Sequence, residues 1–578
     1  MHDLIIRNGR IADGTGTPTF VGDLAVTDGV ITEVGKVAGN AARVVDADGL
    51  LVTPGVVDIH THYDGQAVWD PDLTPSCWHG VTTAVIGNCS VGFAPCAPER
   101  REWLMSMMES VEDIPFATLQ AGLDWSWETF PEYLDALDTP RSIDVGAQVP
   151  HSALRTYVMG GRGARDEAPT PDDLATMAKL VEEGIAAGAL GFSTSRTVLH
   201  YTGPERTPIP GTYAGEDELF ALGDALTRAG TGVFQVVPPG VVGEDVTKIL
   251  GEVDWMTRLA ARTGRPVCML YSQNNTKPDL WREVVGRAAR AQAQGALVVV
   301  QVSGRPAGAL AGLGSTYHVL DKCPSFAALR GLPDAEVVTR LRDASVRAAI
   351  VEEAQALPAG NNFGSQRWDR VFPMIDPIDY EPAFEQSVAG IAQAKGVTPA
   401  DVVIDMTIDD SALLFAWYVT NYADGDSEVN REMLVHPATV VGLADGGAHV
   451  ATICDASMPT SMLTHWARDR SRGEGLPVEQ VVKLQSADTA ALYGLHDRGV
   501  LVPGKLADIN VIDFERLQVR RPELVHDLPG GAPRLLQRAD GYVATFKNGV
   551  AVLEDDECTG AQPAGVVRGA RSTPDRLA

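Results

Sequence analysis

The chain is short of cysteine, short of basic residues and without a long apolar run, and each shortage excludes a class of protein. Its seven cysteines, Cys77, Cys89, Cys96, Cys268, Cys323, Cys454 and Cys558, are odd in number and include no CxxC pair, which argues against a disulfide framework. Against 76 Asp and Glu there are 47 Lys and Arg, a net charge of −29 and a pI near 4.7. Such a surface repels nucleic acid and anionic membranes, so neither is expected as a partner. No stretch approaches the roughly 20 apolar residues that cross a bilayer, and the opening MHDLIIRNGRIADG is not a basic leader followed by an apolar core. A cytoplasmic location is the expectation. With 45% hydrophobic and 21% charged residues over 578 positions, the chain is globular and large enough for one big domain and a smaller one.

Hydrophobic patterning divides it. Residues 1–53 read as short β segments broken by the turn signals Asn8-Gly9, Asp28-Gly29 and Asp48-Gly49, a small antiparallel sheet. From Val56 apolar strand-length runs alternate with helical stretches. Eight such runs, 56–62, 82–89, 143–149, 188–195, 232–237, 266–272, 296–303 and 439–444, predict a closed (β/α)8 barrel over 54–495. One helix is marked plainly by Thr170-Pro171-Asp172-Asp173 and runs to about Ala187. The gap at about 304–437 is too long for a loop and reads as an insertion at the barrel mouth. It contains a helical 326–350, a Gly/Asn-rich 360–364 and a helical 381–395. A helix is expected over 478–493. Short strands return in GVLVPGKLADINVID and GYVATFKNGVAVL, so 496–557 is expected to complete the small domain begun by 1–53. Residues 558–578 read as a tail, mobile or bound to a subunit.

The stretch that organises the chain is 52–65, VTPGVVDIHTHYDG. Residues i and i+2 of a strand point to the same face, so His60 and His62 at a strand end can converge on one metal ion. A pair of half-exposed histidines is the plain alternative. Two further features lie at the ends of later strands: Cys89 in GNCSVGFAP and Asp445 in GLADGGAHV. All fall on the C-terminal side of the expected sheet, where such barrels keep their chemistry. Two imidazoles, a thiolate and a carboxylate suit a borderline-soft divalent ion such as zinc.

PGVVDIHTH, IIRNGRIADG, GVLVPGKLADINVID and the split β domain resemble the amidohydrolase superfamily. GNCSVGFAP, VPHSALR, GALGFSTS and ADGG resemble, within it, the N-acyl-D-amino-acid deacylases. The resemblance implies a distorted (β/α)8 TIM barrel with a small β-sandwich domain built from both chain ends, and hydrolysis of a non-peptide amide by metal-activated water. It implies His60, His62, Cys89 and Asp445 as ligands, with Asp445 also taking the proton of the attacking water.

Where that family carries a histidine on the fifth strand, this chain reads GVFQVVPP; where it carries a histidine and then a lysine on the sixth, it reads PVCMLYSQNN. A reduced site with one zinc per chain is therefore expected, with Gln235, Tyr271, Gln273 and Asn274 facing the pocket. Arg305, ahead of Arg155 and Arg196, is the expected partner of a substrate carboxylate; if none of the three faces the pocket, the substrate is expected to be neutral or apolar. His151 and His449 are placed at the pocket and His200 given less weight; the remaining histidines read as structural. A small-molecule substrate and a homo-oligomer complete the expectation. Two alternatives stand beside it: an ester, lactone, deamination or C–C reaction at the same reduced site, and a metal-free binding protein.

Overall fold

The computed structural model describes residues 1–358, 360 and 367–569. Apart from Gly360, the Gly/Asn-rich stretch at 360–364 lies outside them, as do residues 570–578 of the tail.

Eight parallel strands form one sheet, each hydrogen-bonded to the next in chain order. They are β1 (Val56–Asp58), β2 (Val81–Ile86), β3 (Asp144–Pro150), β4 (Gly191–Ser195), β5 (Val233–Val237), β6 (Val267–Leu270), β7 (Val298–Val302) and β8 (Thr439–Val441). Every residue of the eight is buried except Thr439, as helices packed outside a parallel sheet require. The sheet curls until its two edges meet. Just past β1 and β8, Thr61 and Gly446 form a parallel bridge, His62 N–H donates to Gly446 O at 2.7 Å and Asp445 N–H to His60 O at 3.0 Å. The barrel is thus closed by the backbone of the same residues whose side chains are the candidate ligands.

Alternation along the strands layers the interior. Val233 and Gln235 share a face, as do Val299 and Gln301. The valines join Val57, Val85, Leu190, Cys268 and Val440 in an apolar cluster at the closed end. The buried amides of Gln235 and Gln301 lie two residues nearer the mouth. A helix over Pro171–Ala187 forms as expected, with Thr170 and Asp173 making a reciprocal capping box, a device that contributes about 1 kcal/mol.

The small domain is a nine-stranded sheet in which Ile509–Ile512 pairs with Leu51–Pro54, joining the two chain ends. It differs from the expected antiparallel sheet. Ala41–Asp46 and Leu51–Pro54 both run parallel to His2–Ile11. Asn8-Gly9 is a bulge inside that strand, with Asn8 at φ 60°, because Asp23 Oδ1 accepts the Asn8 N–H. The helix expected over 478–493 breaks at Ser486 into Val478–Gln485 and Ala487–Leu492.

The insertion carries its own core, with Phe326, Leu341, Val403, Phe415 and Trp417 buried together. Helices over Asp334–Leu341, Ala344–Gln355, Val388–Lys395 and Pro399–Asp409 pack around an antiparallel sheet that patterning missed, with Phe415–Thr420 between Ala307–Ala311 and Val371–Pro373. A hairpin of Glu523–Leu528 and Ala532–Leu536, also missed, returns from the small domain to the barrel mouth, where Leu535 N–H donates to Val450 O. Residues 564–567 do not hang free: Ala564 bridges Arg141 and Val566 bridges Val145, at the start of β3.

Candidate metal centre

His60 and His62 leave β1 on one face, their ring centroids 5.3 Å apart. The next strand ends in Gly87-Asn88-Cys89, and Gly87 turns at φ 76° where a Cβ would lie 2.3 Å from Gln148 O. Cys89 and Ser90 follow with φ of 57° and 73°. That left-handed turn costs a non-glycine residue free energy, and it returns the Cys89 sulfur over the barrel, 3.2 Å from His60 Nε2. The Cys89 N–H donates to Gln235 Oε1 at 3.1 Å. Asp445, at φ 46° after β8, puts Oδ1 3.5 Å from His60 Nε2 and 4.0 Å from His62 Nε2. Donor atoms of His60, His62 and Cys89 all lie within 4.8 Å of one another.

These separations fit a metal ion. Bonds of about 2.0–2.3 Å in a tetrahedron hold donors roughly 3.3–3.8 Å apart. Each imidazole also has an acceptor near its far nitrogen, hydrogen-bonded among the described residues for His60 and not for His62. His60 Nδ1 lies 2.9 Å from Gln301 Oε1, and His62 Nδ1 lies 3.4 Å from Glu112 Oε1. A hydrogen bond of the Gln301 kind fixes the tautomer that presents His60 Nε2 to a metal.

Charge points the same way. Burial pushes the His60 ring down to about 4, against a smaller upward pull from Gln301, so it is neutral and able to ligate. Burial, with the neighbouring histidines, holds His62 well below the usual range. Burial and the nearby Glu112, Asp445 and Asp64 push the Cys89 thiol well above its usual value, and burial raises the carboxyls of Glu112 and Asp445. Asp58 and Asp64 are raised to about 7, again chiefly by burial. A buried pocket of acids, neutral imidazoles and a thiol lacks positive charge, which a divalent cation would supply.

A model of the Amidohydrolase family matches residues 43–553. The chain belongs to that family. It is a hydrolase of carbon–nitrogen bonds other than peptide bonds. D-aminoacylase of Alcaligenes xylosoxydans xylosoxydans is 27% identical over 569 residues, spanning 98% of this chain and 97% of that protein. Among solved structures, a D-aminoacylase described by its binuclear metal centre, with one-metal activation and second-metal attenuation, aligns with a TM-score of 0.64 at 23% identity, covering 98% of this chain and all of the other. N-acyl-D-glutamate deacylase from Bordetella bronchiseptica, solved with zinc and a phosphonate mimic of the tetrahedral intermediate, matches at the same TM-score, identity and coverage. At that identity the likeness carries the fold.

Several residues assigned to the pocket from sequence are engaged by other side chains in this amidohydrolase. Arg305 does not wait for a substrate: it is buried, donates to Asp455 Oδ1 at 2.8 Å, to Ser457, Ser461 and the Cys454 carbonyl, and lies 3.9 Å from the Tyr380 ring centroid. It ties down the segment after Asp445. Arg155 pairs with Glu218 and Arg196 with Glu252. His151 sits between Thr194 Oγ1 and Glu218 Oε1, at 2.9 Å from each, in the same buried network as Arg155. The Gln273 amide is held by Asp424 and the Ala423 N–H of the insertion. Tyr271 is fully buried after β6, with the Asn274 side chain beside its hydroxyl. His449 does stand at the mouth, half-exposed, with Nε2 3.7 Å from Glu112 Oε2.

Sequence reasoning missed Glu112 and Gln301. Glu112 ends an amphipathic helix, Arg101–Glu112, and carries no motif. Gln301 had a signal, a single amide in the valine run VVVQV. His200, given little weight from sequence, hydrogen-bonds Ser195, and burial, with His449 and His60 as lesser contributors, pushes its ring down to about 3.

Proposed function

We propose that this amidohydrolase cleaves the amide of a neutral N-acyl compound at a single divalent metal held by His60, His62, Cys89 and Asp445, with zinc the best match to that donor set. The observation that carries the reading is the convergence of the four side chains at the barrel mouth. The related N-acyl-D-glutamate deacylase, whose structure holds zinc, supports it. A metal held there by His60, His62, Cys89 and Asp445 would supply polarisation of an amide carbonyl and activation of water near neutral pH. The protein's own groups do the rest. Asp445 accepts the proton of the attacking water on its carboxylate and passes it to the leaving nitrogen. Its backbone, bonded to His60 O, keeps that carboxylate beside the two imidazoles. Gln301 and Glu112 hold the rings, and Gln235 holds the backbone of Cys89.

The substrate's charge follows from the arginines. Arg155, Arg196 and Arg305 are each paired with an acid, and releasing one to meet a carboxylate would strand a buried or half-buried charge, at a cost of a few kcal/mol. A neutral group beside the amide is therefore favoured. The test is metal content by elemental mass spectrometry together with acetate release from N-acetyl-D-leucine and N-acetyl-D-leucinamide. About one metal per chain and faster turnover of the leucinamide are expected. Two metals per chain refute the single-ion site, and preference for the free acid refutes the charge assignment.

A further inference from the structure

We propose that Cys77 and Cys558 form a redox-responsive thiol pair, a modification site at which a peroxide closes a disulfide between the barrel's first loop and the last strand of the small domain. Their sulfurs lie 3.6 Å apart although 481 residues separate them in the chain. Cys77 is buried in the short helix Ser76–His79 that follows β1. Cys558 is half-buried and closes the two-residue edge strand Glu557–Cys558, which among the described residues pairs on one side only, with Val550–Glu554. A disulfide needs the sulfurs at about 2.05 Å, a closure of about 1.5 Å that an edge strand of two residues can absorb.

The two thiols are unequal. Cys558 is the more open, and the contact from Cys77 holds it below the usual thiol range against an opposing effect of burial; burial raises Cys77 well above that range. Cys558 is thus the attacking sulfur and Cys77 the resolving one. The Cys558 thiolate attacks the O–O bond of hydrogen peroxide to give a sulfenic acid, and the departing hydroxide takes up a proton to leave as water. The Cys77 sulfur then attacks the sulfenic sulfur, an S–S bond forms, and the hydroxyl leaves with the Cys77 proton as a second water. Two thiols are oxidised and one peroxide is reduced.

The bond would reach the catalytic wall. Ser76, next to Cys77, lies 2.7 Å from the Tyr63 hydroxyl, and the Tyr63 side chain fills the space over Gly446 and Gly447, where a Cβ would meet it at 2.6 and 2.7 Å. These glycines follow Asp445. A link at Cys77 braces the loop on which that wall rests and removes freedom from the unfolded chain.

The experiment treats the full, metal-loaded protein with hydrogen peroxide, blocks remaining thiols and maps the peptides. A peptide joining Cys77 to Cys558 is expected, reversible by reductant, together with a higher melting temperature in the oxidised form. Cys558→Ser should abolish the link and the temperature shift while leaving Cys77 a free thiol. Oxidation of Cys558 to the sulfinic acid without the linked peptide overturns the proposal, and so does a link that forms only in denaturant. Cys558 lies on an edge strand and is not one of the candidate ligands, so loss of metal content in Cys558→Ser also counts against a pair acting only through the disulfide.

Discussion

Replacing Glu112 by glutamine separates the metal centre's needs from those of the fold. Glu112 is 1% exposed, its Oε1 is 3.4 Å from His62 Nδ1 and its Oε2 3.7 Å from His449 Nε2, and Oε2 makes no hydrogen bond among the described residues. With a cation at the centre its negative charge is matched, and the contact fixes the ring that presents Nε2. Without one it is a carboxyl pushed upward by burial and by Asp445, Asp64 and Asp113. The substitution keeps shape and acceptor but removes the charge, so its two effects have opposite signs. Metal affinity should fall about tenfold for Glu112→Gln and towards a hundredfold for Glu112→Ala, losses of about 1.4 and 2.7 kcal/mol. The metal-free Glu112→Gln protein should melt at or above the wild-type temperature, since a buried acid crowded by other acids has gone. Competition with a chromophoric chelator measures the first and calorimetry of the apo protein the second. Unchanged affinity, or equal destabilisation of the apo and loaded forms, would refute the assignment of Glu112 to His62.

Cys89→Ala should reduce bound metal well below one equivalent while circular dichroism stays unchanged; full retention removes Cys89 from the ligand set. Lys547 is fully buried between Asp144 and Asp508, at 2.7 Å from each. Lys547→Met strands the Asp508 charge and should cost about 3–5 kcal/mol in urea unfolding, whereas a loss under about 1 kcal/mol would show the network to be dispensable. Burial raises Glu381, but His465, Arg470 and the Ser427 N–H more than offset it and hold it at about 2, below its ordinary 4.5. A depressed acid stabilises the fold above its unfolded value, and that stability is lost as pH falls from 4.5 towards 2, on the order of 3 kcal/mol. Glu381→Gln should flatten this acid limb of the stability curve, and an unaltered limb would rule the group out.

Much of the barrel was legible because its cause is local. Eight runs of strand length at regular intervals can bury both faces only in a parallel sheet covered by helices, and the eight observed strands lie within or across those runs. His60-x-His62 was legible for a similar reason, since the strand period places both rings on one face. The antiparallel sheet of the insertion was hidden by length: three of its strand residues, Val371–Pro373, pair with Phe415–Thr420, more than forty positions on. The parallel edge in the small domain was hidden too, because patterning gives a strand's faces but not the direction of its neighbour.

The sequence by itself determined which residues are available for chemistry: two histidines in strand register, a cysteine and an aspartate at later strand ends, and no histidine in the fifth- and sixth-strand segments GVFQVVPP and PVCMLYSQNN. Tertiary structure alone decided what each of the others does. Arg305, Arg155 and His151 have the right chemistry for a substrate pocket, yet Asp455 and Glu218 engage them first. Glu112, with no motif around it, becomes the partner of His62. The physical reason is that a buried charge takes the partner the fold brings within hydrogen-bond distance, and that distance is set by packing between segments tens to hundreds of residues apart.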